Sequence, residues 1–139
     1  MISVSVPPAW RQATAAEMPN AKEALAASLP SPSDSSDLTS VYVSVDTLPT
    51  RAEFKSYERT LIAGFASRFK LRLNSRGAVK LPAGRAEVLQ FVGAGGEILI
   101  TYLIPSGRQV YSLTFSTGQG AVGVFQPTFR AIATTLRTP

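Results

Sequence analysis

The chain has 139 residues, 45% of them hydrophobic and 17% charged, and a net charge of +5. That length fits one domain, able to bury roughly 70% of the surface its unfolded chain exposes, and the composition excludes a disordered polymer. Cysteine and histidine are both absent. Their absence removes disulfides, thiol chemistry, the usual neutral-pH general base and the commonest zinc ligand, and so weighs against an enzyme.

Taken in order, Ile2-Ser3-Val4-Ser5-Val6 alternates as a strand does, and Pro7-Pro8 ends it. No charged n-region or apolar h-region stands there. The chain is therefore read either as a cytoplasmic protein or as a trimmed export product with a new Met1. Trp10 reads as an anchor over the core edge, with ligand stacking as the alternative. Asn20-Ala21-Lys22-Glu23 has the spacing of a capping box and predicts a short helix to Leu29, where Pro30 stops it. Ser31–Asp37 is polar and proline-bearing, and is read as a mobile loop. Asp34 and Asp37 lack the ligand spacing and fixed glycine of a calcium loop.

Thr39–Asp46 reads as a strand with Val41, Val43 and Val45 on one face. Thr50-Arg51-Ala52-Glu53 is a second capping box and opens a long helix over 51–69. Phe54, Tyr57, Leu61, Phe65 and Phe69 recur on one side of it, with Ile62 and Ala66 widening the stripe. That stripe is read as the face lying on the sheet, and Gly64 as a point of close approach to a strand. Lys70-Leu71-Arg72-Leu73 alternates, Asn74–Gly77 is read as a turn, and Val79-Lys80-Leu81 as a short edge strand.

Three strands follow, Ala86–Val92, Glu97–Ile104 and Gln109–Ser116. Gly93–Gly96 and Pro105-Ser106-Gly107-Arg108 join them as hairpins. The middle strand is apolar on both faces, Ile98, Ile100, Tyr102 and Ile104 against Leu99, Thr101 and Leu103, so it calls for cover on both sides. Opposite Tyr111, Leu113 and Phe115, its neighbour carries the smaller Val110, Ser112 and Thr114, which leave room for a closely packed layer. A last helix carries Phe125, Phe129, Ile132, Ala133 and Leu136 on one face, with Pro127 in its first turn. The order predicts an α+β domain: a single antiparallel sheet of six or seven strands with helices on its faces.

Motifs of catalysis are weak. Gly93–Gly96 lacks the lysine and the following helix of a phosphate loop. Glu87 and Glu97 flank one hairpin and read as rim charges, and Lys55-Ser56 comes with no oxyanion hole or strained elbow. Charge is the one uneven feature: nine basic residues stand against two acidic ones between Arg51 and Arg85. Arg68, Lys70, Arg72, Arg76 and Lys80 form a candidate basic interaction surface, otherwise a solvated helix end and strand face. Nucleic acid is not the expected partner, because the nearby Phe65 and Phe69 fall on the apolar stripe and not among the cations.

Several segments together resemble the PsbP-like superfamily. They are Val4-Ser5-Val6-Pro7-Pro8-Ala9-Trp10, Leu81-Pro82-Ala83-Gly84-Arg85-Ala86, Ile100-Thr101-Tyr102-Leu103, Gln109–Phe115 and Phe125-Gln126-Pro127-Thr128-Phe129-Arg130-Ala131-Ile132-Ala133. The resemblance spans nearly the whole chain and implies an α/β/α sandwich with a binding or assembly role, no catalytic residues and no cofactor. It includes DcrB-type envelope lipoproteins, the Mog type and type VI effector chaperones, and many bacterial members are exported. The expected function is a non-enzymatic module acting by protein–protein contact, placed in the cell envelope or secreted if a signal has been removed. A cytoplasmic chaperone or adaptor holding an apolar segment of its partner is the alternative. A protein is the expected partner, an anionic surface a further candidate, and no transmembrane segment is expected, because no apolar run approaches the roughly 20 residues required.

Overall fold

The computed structural model describes residues 3–6, 11–12, 25–29, 39–48, 53–118 and 122–138. Trp10, the Asn20–Glu23 box, the Ser31–Asp37 loop with its two aspartates, and Thr50 lie outside these residues. The described residues form seven strands: β1 (Arg11–Gln12), β2 (Leu25–Leu29), β3 (Thr39–Thr47), β4 (Leu71–Leu81), β5 (Gly84–Gly93), β6 (Glu97–Ser106) and β7 (Gln109–Gly118). The helices are α1 (Phe54–Phe69) and α2 (Val122–Thr134). The strands form one sheet in the order β1-β2-β3-β7-β6-β5-β4, antiparallel at every pairing.

The meander β4–β7 makes up one side of the sheet, from β7 in the middle to β4 at the edge, and its tight turns follow from their glycines. Gly107 closes the β6–β7 turn at φ 62, and Gly96 takes φ 85 beside a 3.1 Å bond from its N–H to the Gly93 carbonyl. Both are conformations that glycine adopts without steric cost. β3 then pairs with the free side of β7. Successive antiparallel pairings leave β3 parallel to β4 at the far edge, so the chain must cross the sheet between them. α1 makes that crossing.

The double-sided apolar pattern of β6 is answered by two cores. On one face Ile98, Ile100, Tyr102 and Ile104 join Val41, Val43, Leu113 and Phe115 beneath Phe129, Ile132, Ala133 and Leu136 of α2 and its exit. On the other face Leu89, Phe91, Leu103, Val110, Leu71 and Leu48 lie under the half-buried Phe54, Tyr57, Leu61, Ile62 and Phe65 of α1. The small residues expected on β7 are there: Ser112 and Thr114 are buried, and Thr114 shares a 3.2 Å hydroxyl contact with Thr101.

Several local expectations give way. Leu25–Leu29 is a strand paired with β3 through all five residues, not the end of a helix. An isolated helix that short is marginal, and a full ladder with a neighbour overrides the propensity of two alanines. Ser3 makes only an isolated bridge to Arg137 in place of a full N-terminal strand, with Val4 and Val6 packed on the α2-side core. Glu53 stands at the N-cap of α1 and makes no side-chain capping bond. A Cβ at Gly64 would meet nothing within 4 Å, so this glycine admits no strand. α2 begins at Val122, which puts Pro127 inside the helix, opposite the Gly123 carbonyl it cannot bond.

The largest correction concerns Asn74–Gly77. No turn forms; β4 runs unbroken for eleven residues, and its register against β5 slips between Leu73 and Ser75. This β-bulge inserts one residue and reverses which face later side chains take. Leu71 and Leu73 therefore serve the α1-side core, while Val79 and Leu81 serve the α2-side core.

Candidate interaction surface

The five cations singled out from sequence fall along one edge of the molecule. Arg68 is exposed in the last turn of α1. Lys70 follows at the C-cap in a left-handed conformation (φ 56), its N–H on the Phe65 carbonyl. Arg72, Arg76 and Lys80 lie on β4, the terminal strand of the sheet.

The bulge divides them. Arg72 pairs with Val92, a residue of the α2-side layer, whereas Arg76 pairs with Leu89 of the α1-side core. Lys80, four residues beyond Arg76, shares its face. It stands directly opposite Arg85, a sixth cation beside the predicted five. Arg72 and Lys80 are about 25 Å apart along the strand. The five form an edge running around two faces, not one flat patch.

Arg76 is engaged from within. Its Nη2 donates to Oε1 of Glu58, which is the one buried residue of α1, while half of the Arg76 side chain stays exposed. The other carboxylate oxygen of Glu58 has no hydrogen-bond partner. Glu58 was legible as an anomaly. It sits four residues after Phe54 and seven before Phe65, an acid set into the apolar stripe.

Where α1 ends, its stripe outruns the core. Phe69 is 54% exposed and contacts Phe65 edge-on, with ring centroids 6.0 Å apart. Beside it opens a cleft of about 320 Å³ lined by Phe65, Phe69, Leu71, Glu97, Ile98, Leu99 and Ser116. The side chain of Glu97 lies where a Cβ of Gly93 would be, so the absent side chain on β5 makes the space for that carboxylate. Aromatic and aliphatic walls with one carboxylate and one hydroxyl suit an apolar side chain carrying a polar end. Helical periodicity alone had assigned Phe69 to the core, and only the position of the sheet's end shows otherwise.

Glu87 and Glu97 do not converge. Glu87 pairs with Leu103, six residues along β6 from Glu97, a separation of about 20 Å. Among the described residues no group of three or more acidic side chains is placed to hold a metal ion, and no helix is long and apolar enough to cross a membrane.

No protein-family model matches the chain, and no curated protein matches it by sequence. Solved structures do. The cyanobacterial PsbP protein (CyanoP) of Synechocystis superposes with a TM-score of 0.65 at 9% identity, over 99% of this chain and 92% of its own. PA94, a protein of unknown function from Pseudomonas aeruginosa, gives 0.65 at 18% identity, over 99% of this chain and 97% of its own. LpqN of Mycobacterium tuberculosis, involved in cell envelope biogenesis, gives 0.58 at 17% identity, over 99% and 83%. The chain has a PsbP-like fold.

Proposed function

We propose that this chain is a non-enzymatic binding module of the bacterial cell envelope, acting by contact with a protein partner. The observation that carries the reading is the end of α1. A large aromatic, Phe69, stands exposed beside an apolar cleft, with Arg68 and Lys70 next to it on the chain. An aromatic anchor within a charged rim is the usual make-up of a protein-binding hot spot. The envelope placement is supported by structural likeness to LpqN, a protein of cell envelope biogenesis. A cleft of about 320 Å³ holds one or two side chains, which fits docking of a protruding residue better than cradling a long apolar segment.

The test is cross-linking and co-purification from fractionated native cells, with the mass of the mature N-terminus determined on the same material. Recovery in the envelope fraction with a specific protein partner is expected. Phe69→Ala should reduce that capture at least tenfold while leaving thermal unfolding nearly unchanged, because the ring is mostly in water. The combined Arg68→Glu, Lys70→Glu and Arg72→Glu variant should also weaken it. A cytosolic product whose partner ignores all four changes would overturn the reading.

A further inference from the structure

Among the described residues β4 is the last strand of the sheet, paired by β5 and by no other strand. It is eleven residues long, with Arg72, Asn74–Ala78 and Lys80 exposed. An edge of this kind presents unpaired backbone donors and acceptors to any strand that can approach. We propose that β4 is the docking edge for an extended acidic segment of the partner protein, added as a further strand alongside Ser75–Leu81. The proposal rests on the binding-module reading and names the chemistry of its partner.

The bulge defines the stretch. Beyond it, Ser75–Leu81 keep unbroken register with β5, which is the straight run a new strand requires. Arg76 and Lys80 lie on one face of this run, four residues apart, with the small Ala78 between them. Glu58 holds the guanidinium of Arg76 at the edge. Lys80 confronts Arg85 directly across the β4–β5 pair, and facing like charges destabilise a sheet. A carboxylate seated beside them offsets that repulsion. Next to this end of the strand a hollow of about 420 Å³, lined by Ala78, Val79, Lys80, Gly84 and Arg85, leaves room for incoming side chains.

Charge also decides between occupants. β4 carries three cations and no acidic residue, so a second copy of the chain would bring cations against cations. In the antiparallel register centred on Ala78, Arg76 of each copy would face Lys80 of the other. A heterologous strand with carboxylates four residues apart matches Arg76 and Lys80 at once. On its other face a β-branched residue would pack on the half-buried Val79.

The probe is the end-blocked peptide Thr-Glu-Val-Thr-Val-Glu-Thr, titrated against the full chain while amide hydrogen exchange is followed. Protection of amides within Ser75–Leu81 by tenfold or more is expected, lost in Lys80→Glu and weakened by salt. Two further peptides, N-methylated on alternate backbone nitrogens, test strand addition directly. A strand bonds through one edge only, so one version should lose at least tenfold in affinity while the other keeps it. Equal behaviour of the two, protection elsewhere in the chain, or no binding at millimolar peptide overturns the proposal. So does capture by anionic phosphatidylglycerol vesicles without peptide binding. If the native partner is lost by Phe69→Ala but kept by Lys80→Glu, the docking edge fails and the binding-module reading survives.

Discussion

The two faces of the sheet are closed by helices of unlike character. α2 lays Phe129, Ile132 and Ala133 into the core with no more than 2% of any of them exposed, and Phe129 stacks on Phe115 with centroids 4.5 Å apart. α1 buries no apolar residue to that degree. Its aromatic and aliphatic stripe is half-buried, its one buried side chain is the charged Glu58, and its last aromatic is about half exposed. α2 is held by dry packing, whereas α1 combines partial packing with an ion pair to the edge strand and a 2.6 Å bond from the Tyr57 hydroxyl to Asp46. A face held this way has less stability to lose and more surface to offer a partner. The exposed Phe69 belongs to the weaker helix, and the difference is open to measurement.

Truncation should separate the faces most clearly. Phe129→Ala empties a fully buried site and is expected to cost about 3–5 kcal/mol. Leu61→Ala on α1, only half-buried to begin with, should cost about 1 kcal/mol by the same transfer argument. Urea unfolding with unchanged m-values measures both. Equal losses would mean that α1 is docked as firmly as α2, and the contrast would fail.

The ion pair comes next in size. Arg76→Met leaves the Glu58 carboxylate buried without its cation, a loss of several kcal/mol for a fully buried pair. Solvent at the half-exposed Arg76 reduces that here to about 2 kcal/mol. Adding Glu58→Leu should recover most of the loss, because the remaining site is apolar. A double variant no more stable than Arg76→Met would show that Glu58 supports α1 through something other than the pair.

How much of this was legible follows from where periodicity applies. Alternation along Glu97–Ile104 required cover on both faces, and the 54–57–61–65 and 129–132–133–136 spacings supplied the two helices that provide it. Alternation says nothing about an inserted residue, so Asn74–Gly77, polar and glycine-bearing, resembled a turn when it is a bulge within one strand. The same slip split the cation cluster between faces, which a count of charges along the chain has no means of detecting. At Leu25–Leu29 the deciding partner is β3, ten or more residues further along the chain, and local propensity pointed to the wrong structure. Glu58 is the instructive miss. Its place in the stripe was visible, but its partner became visible only once the bulge had turned Arg76 to the α1 side.

The smallest expected effect sharpens the comparison from the other face. Tyr102 lies in the α2-side core, where burial pushes its phenol above the ordinary tyrosine value and the Arg130 guanidinium offsets part of the rise. In the unfolded chain the phenol ionises near pH 10, whereas in the folded chain it stays protonated to higher pH. Above the unfolded value the folded state binds more protons, so stability falls as pH rises from there through the folded value and is fully present below it. Tyr102→Phe should therefore leave stability near neutral pH almost unchanged and flatten the decline above about pH 10. Comparing the alkaline slopes of the parent chain and Tyr102→Phe shows how much of that decline originates at Tyr102. If the Tyr102 variant retains the full slope, the alkaline loss does not originate at Tyr102.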